Sequence, residues 1–143
     1  MQLVEFIPVS NCRGWLHRWA SAIVVMAAIF GFSAIPKGTL IPDFDVWDFV
    51  IKKSAHAIIY AILANTYLRG LTGGRQVKRS DVILSLALAA IYAFSDETHQ
   101  KFVPGREGSL RDVGIDVLGA VLGLFAWRAV RTLQRQFGAP KTR

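Results

Sequence analysis

The sequence predicts an all-α membrane protein with four transmembrane helices in an antiparallel bundle. Three observations predict it. First, 52% of the 143 residues are hydrophobic, and the mean hydropathy is +0.36, as expected of a chain solvated by lipid. Second, four apolar runs approach the about 20 residues that a helix needs to cross a hydrocarbon core of about 30 Å. None alternates like a barrel strand, and lipid admits only helices and closed barrels. Third, the basic residues cluster at the ends of these runs. The length suits a single domain over residues 1–143.

The first span is expected at about 16–35, with Arg13, His17 and Arg18 before it and Pro36 after it. Its basic start and the small residues Ser33 and Ala34 resemble a signal peptide. Three more apolar runs and the lack of a clear small-x-small site argue for a retained span instead. The second span is expected at about 54–71. The third, at about 82–101, is purely apolar only from Val82 to Phe94, so it must carry Asp96 and Gln100 to cross. The fourth, at about 112–131, is interrupted by Asp116 and Arg128.

Counting cations by side gives the orientation. Eleven fall in the N-terminus, the second loop and the tail: Arg13, Arg18, Arg69, Arg75, Lys78, Arg79, Arg128, Arg131, Arg135, Lys141 and Arg143. The first and third loops hold six, with most of the acids. The positive-inside rule therefore puts both termini in the cytoplasm. Phe44, Trp47 and Phe49 beside Asp43, Asp45 and Asp48 are expected interfacial anchors on the other side. The net charge of +7 serves orientation rather than nucleic-acid binding, because no stacking platform or groove-reading motif accompanies it. Cys12, the single cysteine, excludes an internal disulfide.

The stretch Ser95 to Asp116 holds the chemistry. It sets Asp96, Glu97, His99, Gln100, Lys101, Arg106, Glu107, Arg111, Asp112 and Asp116 between apolar runs. A charge at a bilayer centre costs about 2.5–3.5 kcal/mol on insertion scales, so residues kept near one are expected to act on a ligand or on each other. Helical spacing groups them into stripes. Lys52, His56 and Tyr60 share a face of the second span, with Lys53 alongside. Ser85, Ala89, Tyr92, Asp96 and His99 share a face of the third. Asp112, Asp116, Gly119 and Gly123 share a face of the fourth, and the last two form a small-residue pattern for close helix approach. Asp116, about one turn into its run, is expected to be buried with a cation, Arg106 or His56 first.

Pro104, Gly105 and Gly108 read as a tight turn between the last two spans. Ser109 is expected to cap the fourth helix, with Asp112 at N3 as a short capping box, a role as plausible as a catalytic one. The structural alternative pairs Asp96 and Glu97 with Arg106 and Arg111 as a helix staple. Tyr60 and Tyr92 fit packing better than catalysis.

Lys52-Lys53-Ser54-Ala55-His56, then Tyr60 and Leu63, then Ser95-Asp96-Glu97-x-His99-Gln100-x-Phe102-Val103-Pro104-Gly105-Arg106, then Ser109, Asp112, Asp116, Gly119 and Gly123 resemble the VanZ-like family. That family is named for a membrane protein linked to teicoplanin resistance. Many relatives carry an acid just before the tyrosine matching Tyr60, whereas this chain has Ile59. The resemblance implies a bacterial inner-membrane protein of the cell envelope, linked to glycopeptide resistance, without implying a reaction.

Three functions compete. In the first, an outward polar site binds an envelope lipid, glycan or glycopeptide through Lys53, His56, Tyr60, Asp96, Glu97, His99, Gln100, Arg106, Asp112 and Asp116. Arg106 and Lys53 would be the anion contacts. In the second, a membrane enzyme uses carboxylate and histidine acid–base chemistry on a lipid-linked envelope substrate. In the third, the polar residues only fasten helices. A metal on His56, His99 and Glu97 lacks tight ligand spacing, so no metal and no cofactor are expected. The expected partners are membrane lipids and an envelope precursor or glycopeptide, with no nucleic acid.

Overall fold

The computed structural model describes residues 10–36 and 45–137, with side chains described over 14–36 and 50–137. The expected anchors and acids of the first loop, Asp43 to Phe49, lie outside the described side chains. Among the described residues the chain is all-helical: α1 (Ser10–Ser33), α2 (Asp45–Thr72), α3 (Arg79–Gln100) and α4 (Leu110–Phe137). Helices α2 and α4 outrun the expected spans, because helical hydrogen bonding continues through polar residues that a hydropathy count treats as boundaries.

Among the described residues, only Gly14–Ser33 and Leu110–Phe137 are both long enough and apolar enough to cross a membrane by length and composition. Several of the polar residues that dilute α3 point inward, whereas His56, Asn65 and Thr66 of α2 are half-buried. Helix α3 buries Ser85, Asp96, Glu97 and Gln100 and exposes Ile83, Leu84, Ile91 and Phe94. Ile58 and Ile62 of α2 and Leu118, Leu122 and Phe125 of α4 are exposed too. A surface this apolar is unusual for a protein in water.

Side-chain contacts give the directions of the helices. Trp19 of α1 meets Tyr67 of α2, and Tyr60 meets Tyr92 of α3, while Ser85 donates to Ala64 O at 2.5 Å. Consecutive helices therefore run antiparallel, and α2 runs parallel to α4. Among the described residues the α2–α4 interface is the largest, and α1 packs on α2 and α3 but not on α4.

Helices α2 and α4 approach closely because both present small residues. A Cβ on Gly119 would collide with the carbonyl oxygen of Ala57, and one on Gly123 would sit 2.6 Å from Ala61 Cβ. Tyr60, Leu63, Ala64, Tyr67, Leu68, Ala89, Ala93, Ala120 and Leu124 form the core between these helices. Tyr92 ties α3 to α1 by donating to Met26 O at 2.6 Å.

The short α2–α3 connection turns on Gly73 and Gly74, at φ of 56° and 91°, a region costly for residues with a Cβ. There Arg75 clamps Asp81 with two bonds of 2.7 Å, and Lys78 N donates to Asp81 at 2.8 Å. The Arg75 guanidinium and the Lys78 amide hold the Asp81 carboxyl down at about 2. This end of the bundle is basic, and a groove of about 1530 Å³ opens there between α2, α3 and α4, edged by Arg69, Lys78, Arg79, Arg128, Arg131 and Arg135.

Candidate functional site

The polar stripes meet at the opposite end, where α3 finishes and α4 begins. Asp96, Glu97 and Asp116 are 4%, 4% and 1% exposed. Each is bonded differently.

Asp96 Oδ2 accepts from Ser33 of α1 at 2.8 Å and from Gln100 Nε2 at 2.9 Å. Its Oδ1 is buried with no hydrogen-bond partner. Glu97 Oε2 accepts from the backbone N–H of Ser109 at 2.9 Å, and its Oε1 from Gln100 at 3.3 Å. Asp116 Oδ1 lies 3.6 Å from His56 Nδ1, an ion-pair distance too long for a hydrogen bond. Its Oδ2 is buried without a partner. Asp116 thus faces His56 rather than Arg106.

The alternative staple, Asp96 and Glu97 with Arg106 and Arg111, is not what forms among the described residues. Arg106 Nε donates to Ile35 O at 2.9 Å, its Nη2 to Phe32 O at 2.8 Å, and its Nη1 to Gln100 Oε1 at 3.4 Å. The last carbonyls of a helix have no intrahelical donor and carry the negative end of its dipole. A guanidinium satisfies both needs, so Arg106 fastens the end of α1. Gly105, at φ 75°, turns the loop just before it. Gly108 leaves no room for a Cβ against the carbonyl oxygen of Glu97, which lets the loop lie on α3.

Ser109 caps α4, its Oγ accepting from Arg111 N at 3.2 Å. Asp112 does not complete the box. The Ser109 N–H goes to Glu97 instead, and Asp112 pairs with Lys53 of α2 at 2.5 Å. A residue of α3 thus does for α4 what its own N3 residue was expected to do, because the tight loop brings Glu97 closer.

Two expected members stand apart. His99 stacks on Phe30 of α1, with centroids 4.5 Å apart, and its buried Nε2 has no hydrogen-bond partner. It joins no metal-ligating cluster among the described residues. Its place beside His56 and Glu97 is taken by Asp116, one potential ligand atom of each lying within 4.8 Å of the others. Tyr60 is fully buried, and its hydroxyl has no hydrogen-bond partner. Sequence reasoning missed Ser33 as a member. Its only signal was a small hydroxyl at the end of an apolar run.

A small crevice of about 10 Å³ lies beside Glu97 and Ser109. Among the partly open groups are Lys53, Asp112 and His56, with side chains 27%, 16% and 28% exposed. They form a rim over the buried carboxylates. Burying carboxylates together is costly without compensating partners, which marks the cluster as a functional candidate.

A family model described as VanZ/LLP1 matches residues 4–131. No curated protein matches the chain, and no solved structure does.

Proposed function

From the premise that this chain belongs to the VanZ/LLP1 family, we propose that it is a four-span protein of the bacterial inner membrane that binds an anionic envelope lipid, glycan or glycopeptide at its polar end, in a role linked to glycopeptide resistance. The observation that carries the reading is convergence: α2, α3 and α4 each bring carboxylate or cationic groups to one end of the bundle, above what packing requires. Orientation supports it as well. The opposite end carries Arg18, Arg69, Arg75, Lys78, Arg79, Arg128, Arg131 and Arg135, so the positive-inside rule sets that end and both termini in the cytoplasm. The polar end then faces out. Inward-pointing polar groups explain why α3 has an apolar outer face despite modest average hydropathy.

Lys53 and His56, at the rim, are the contacts for the ligand. Arg106 serves α1 in this reading, so Arg106→Ala does not separate binding from folding. The informative variants are Lys53→Gln and His56→Gln. Expressed in a strain lacking its own copy, both should lower teicoplanin tolerance while the protein accumulates normally in membranes. Unchanged tolerance in both would remove the binding site. Parallel loss of protein and tolerance would favour helix fastening alone.

A second reading, an embedded enzyme acting on a lipid-linked envelope substrate, is favoured by one detail. A partly open imidazole is backed by a fully buried carboxylate, the arrangement in which Asp116 would orient His56 as a general base. Asp116→Asn would then abolish turnover while leaving ligand binding intact.

A further inference from the structure

We propose that His56 of α2, Glu97 of α3 and Asp116 of α4 bind a divalent transition-metal cation of the zinc or manganese kind. The three residues come from three helices and from distant parts of the sequence, yet each offers a ligand atom within 4.8 Å of the others. The 3.6 Å between His56 Nδ1 and Asp116 Oδ1 is too long for a hydrogen bond. It is close to the separation of neighbouring ligands on one cation, about 3.0–3.4 Å for bonds near 2.1 Å. From the 4.8 Å limit, a contraction of about 1.4–1.8 Å, within the reach of side-chain torsions, brings the three ligand atoms to that spacing.

A second observation points to a ligand. Asp116 is 1% exposed, and its Oδ2 has no hydrogen-bond partner. A fully buried carboxylate oxygen left bare is expensive, and a cation supplies what it lacks. The neighbouring Asp96 likewise leaves a buried Oδ1 unmatched.

Charge gives a third argument. Two carboxylates, a neutral imidazole and a divalent cation sum to zero, the cheapest state for a dry interior. The ligand from α3 is already oriented, because Glu97 accepts from Ser109 N at 2.9 Å and from Gln100 at 3.3 Å. Such outer contacts fix metal ligands in place. A mixed imidazole and carboxylate set suits zinc or manganese better than the all-oxygen preference of magnesium and calcium. The partly open side of His56 gives the cation a way in.

The test uses the untagged full-length protein in detergent, stripped with a chelator and then titrated with zinc chloride or manganese chloride alone. Bound metal is counted after desalting, with magnesium as comparator. We expect one metal per chain for zinc or manganese and none retained for magnesium. His56→Gln and Asp116→Asn should bind at least about tenfold more weakly, and Arg128→Gln, at the basic end, should bind as the parent does. Circular dichroism checks that each variant is folded. Should Asp116→Asn fail to fold, His56→Gln, altered at a partly open side chain, decides by itself. No stoichiometric metal, or undiminished binding by folded His56→Gln, overturns the site. The envelope ligand enters none of these measurements, so the metal site and the binding function stand or fall separately.

Discussion

At the end of the bundle where α2 turns into α3, one carboxylate, Asp81, meets one guanidinium in a two-bond clamp. At the other end three buried carboxylates converge, with the imidazole of His56 beside Asp116. The first arrangement is local, closed within seven residues and set at the rim of an open groove. The second joins four helices and leaves two carboxylate oxygens, on Asp96 and Asp116, unmatched. Local closure secures a turn. Assembling like charges from separate helices secures nothing by itself, so the second arrangement calls for an occupant or a proton. The comparison teaches that two ionic ends of one bundle differ in what they leave unsatisfied: the Asp81 clamp is complete, and the carboxylate end is not.

The largest effect is expected at the seam on which the carboxylate end hangs. Gly119→Val puts side-chain carbons against the Ala57 carbonyl and forces α2 from α4. Overpacking of this kind costs about 3 kcal/mol, read as a lower unfolding midpoint in detergent. His56 and Asp116, which face each other across that seam, should lose their registry. A midpoint within a degree of the parent would mean that α2 and α4 are not in close contact.

Next comes Arg106→Ala. It strips donors from the end of α1 and from Gln100. Charged hydrogen bonds of this kind contribute enough that a loss of about 2 kcal/mol is expected. Amide exchange should rise in the last turn of α1 and stay unchanged at its start. Uniform exchange along α1 would sink the assignment of Arg106 to that helix end.

The smallest effect belongs to the clamp at the basic end. Asp81 is held at about 2, below its ordinary value near 4. Its pairing therefore contributes stability that is present above about pH 4 and lost as pH falls toward 2. Asp81→Asn should lower the unfolding midpoint slightly at pH 6, and the two proteins should converge by about pH 2. A difference that grows on acidification would reverse the sign and refute the clamp.

Much of the site was legible as stripes. The helical period put His56 and Tyr60 on one face of α2, Asp96 with Ser85 on one face of α3, and Asp116 with Gly119 and Gly123 on one face of α4. Those faces do point inward. The partnerships were less legible. Arg106 looked like a carboxylate or ligand partner because side-chain patterns do not reveal free carbonyls at the end of a helix distant in sequence. His99 shared a stripe with Asp96, yet it turns to Phe30 of α1.

The sequence by itself determined an all-helical chain with inward polar faces and a glycine seam, because apolar periodicity and small-residue spacing are properties of single helices. Only the tertiary structure decided that Ala57 and Ala61 receive that seam, that Glu97 accepts the amide of Ser109 at the cap of α4, and that Asp116 stands opposite His56. Each of those depends on how far one helix is rotated and shifted against another. Close packing of side chains across the whole bundle settles that geometry, and no periodicity within one helix encodes it.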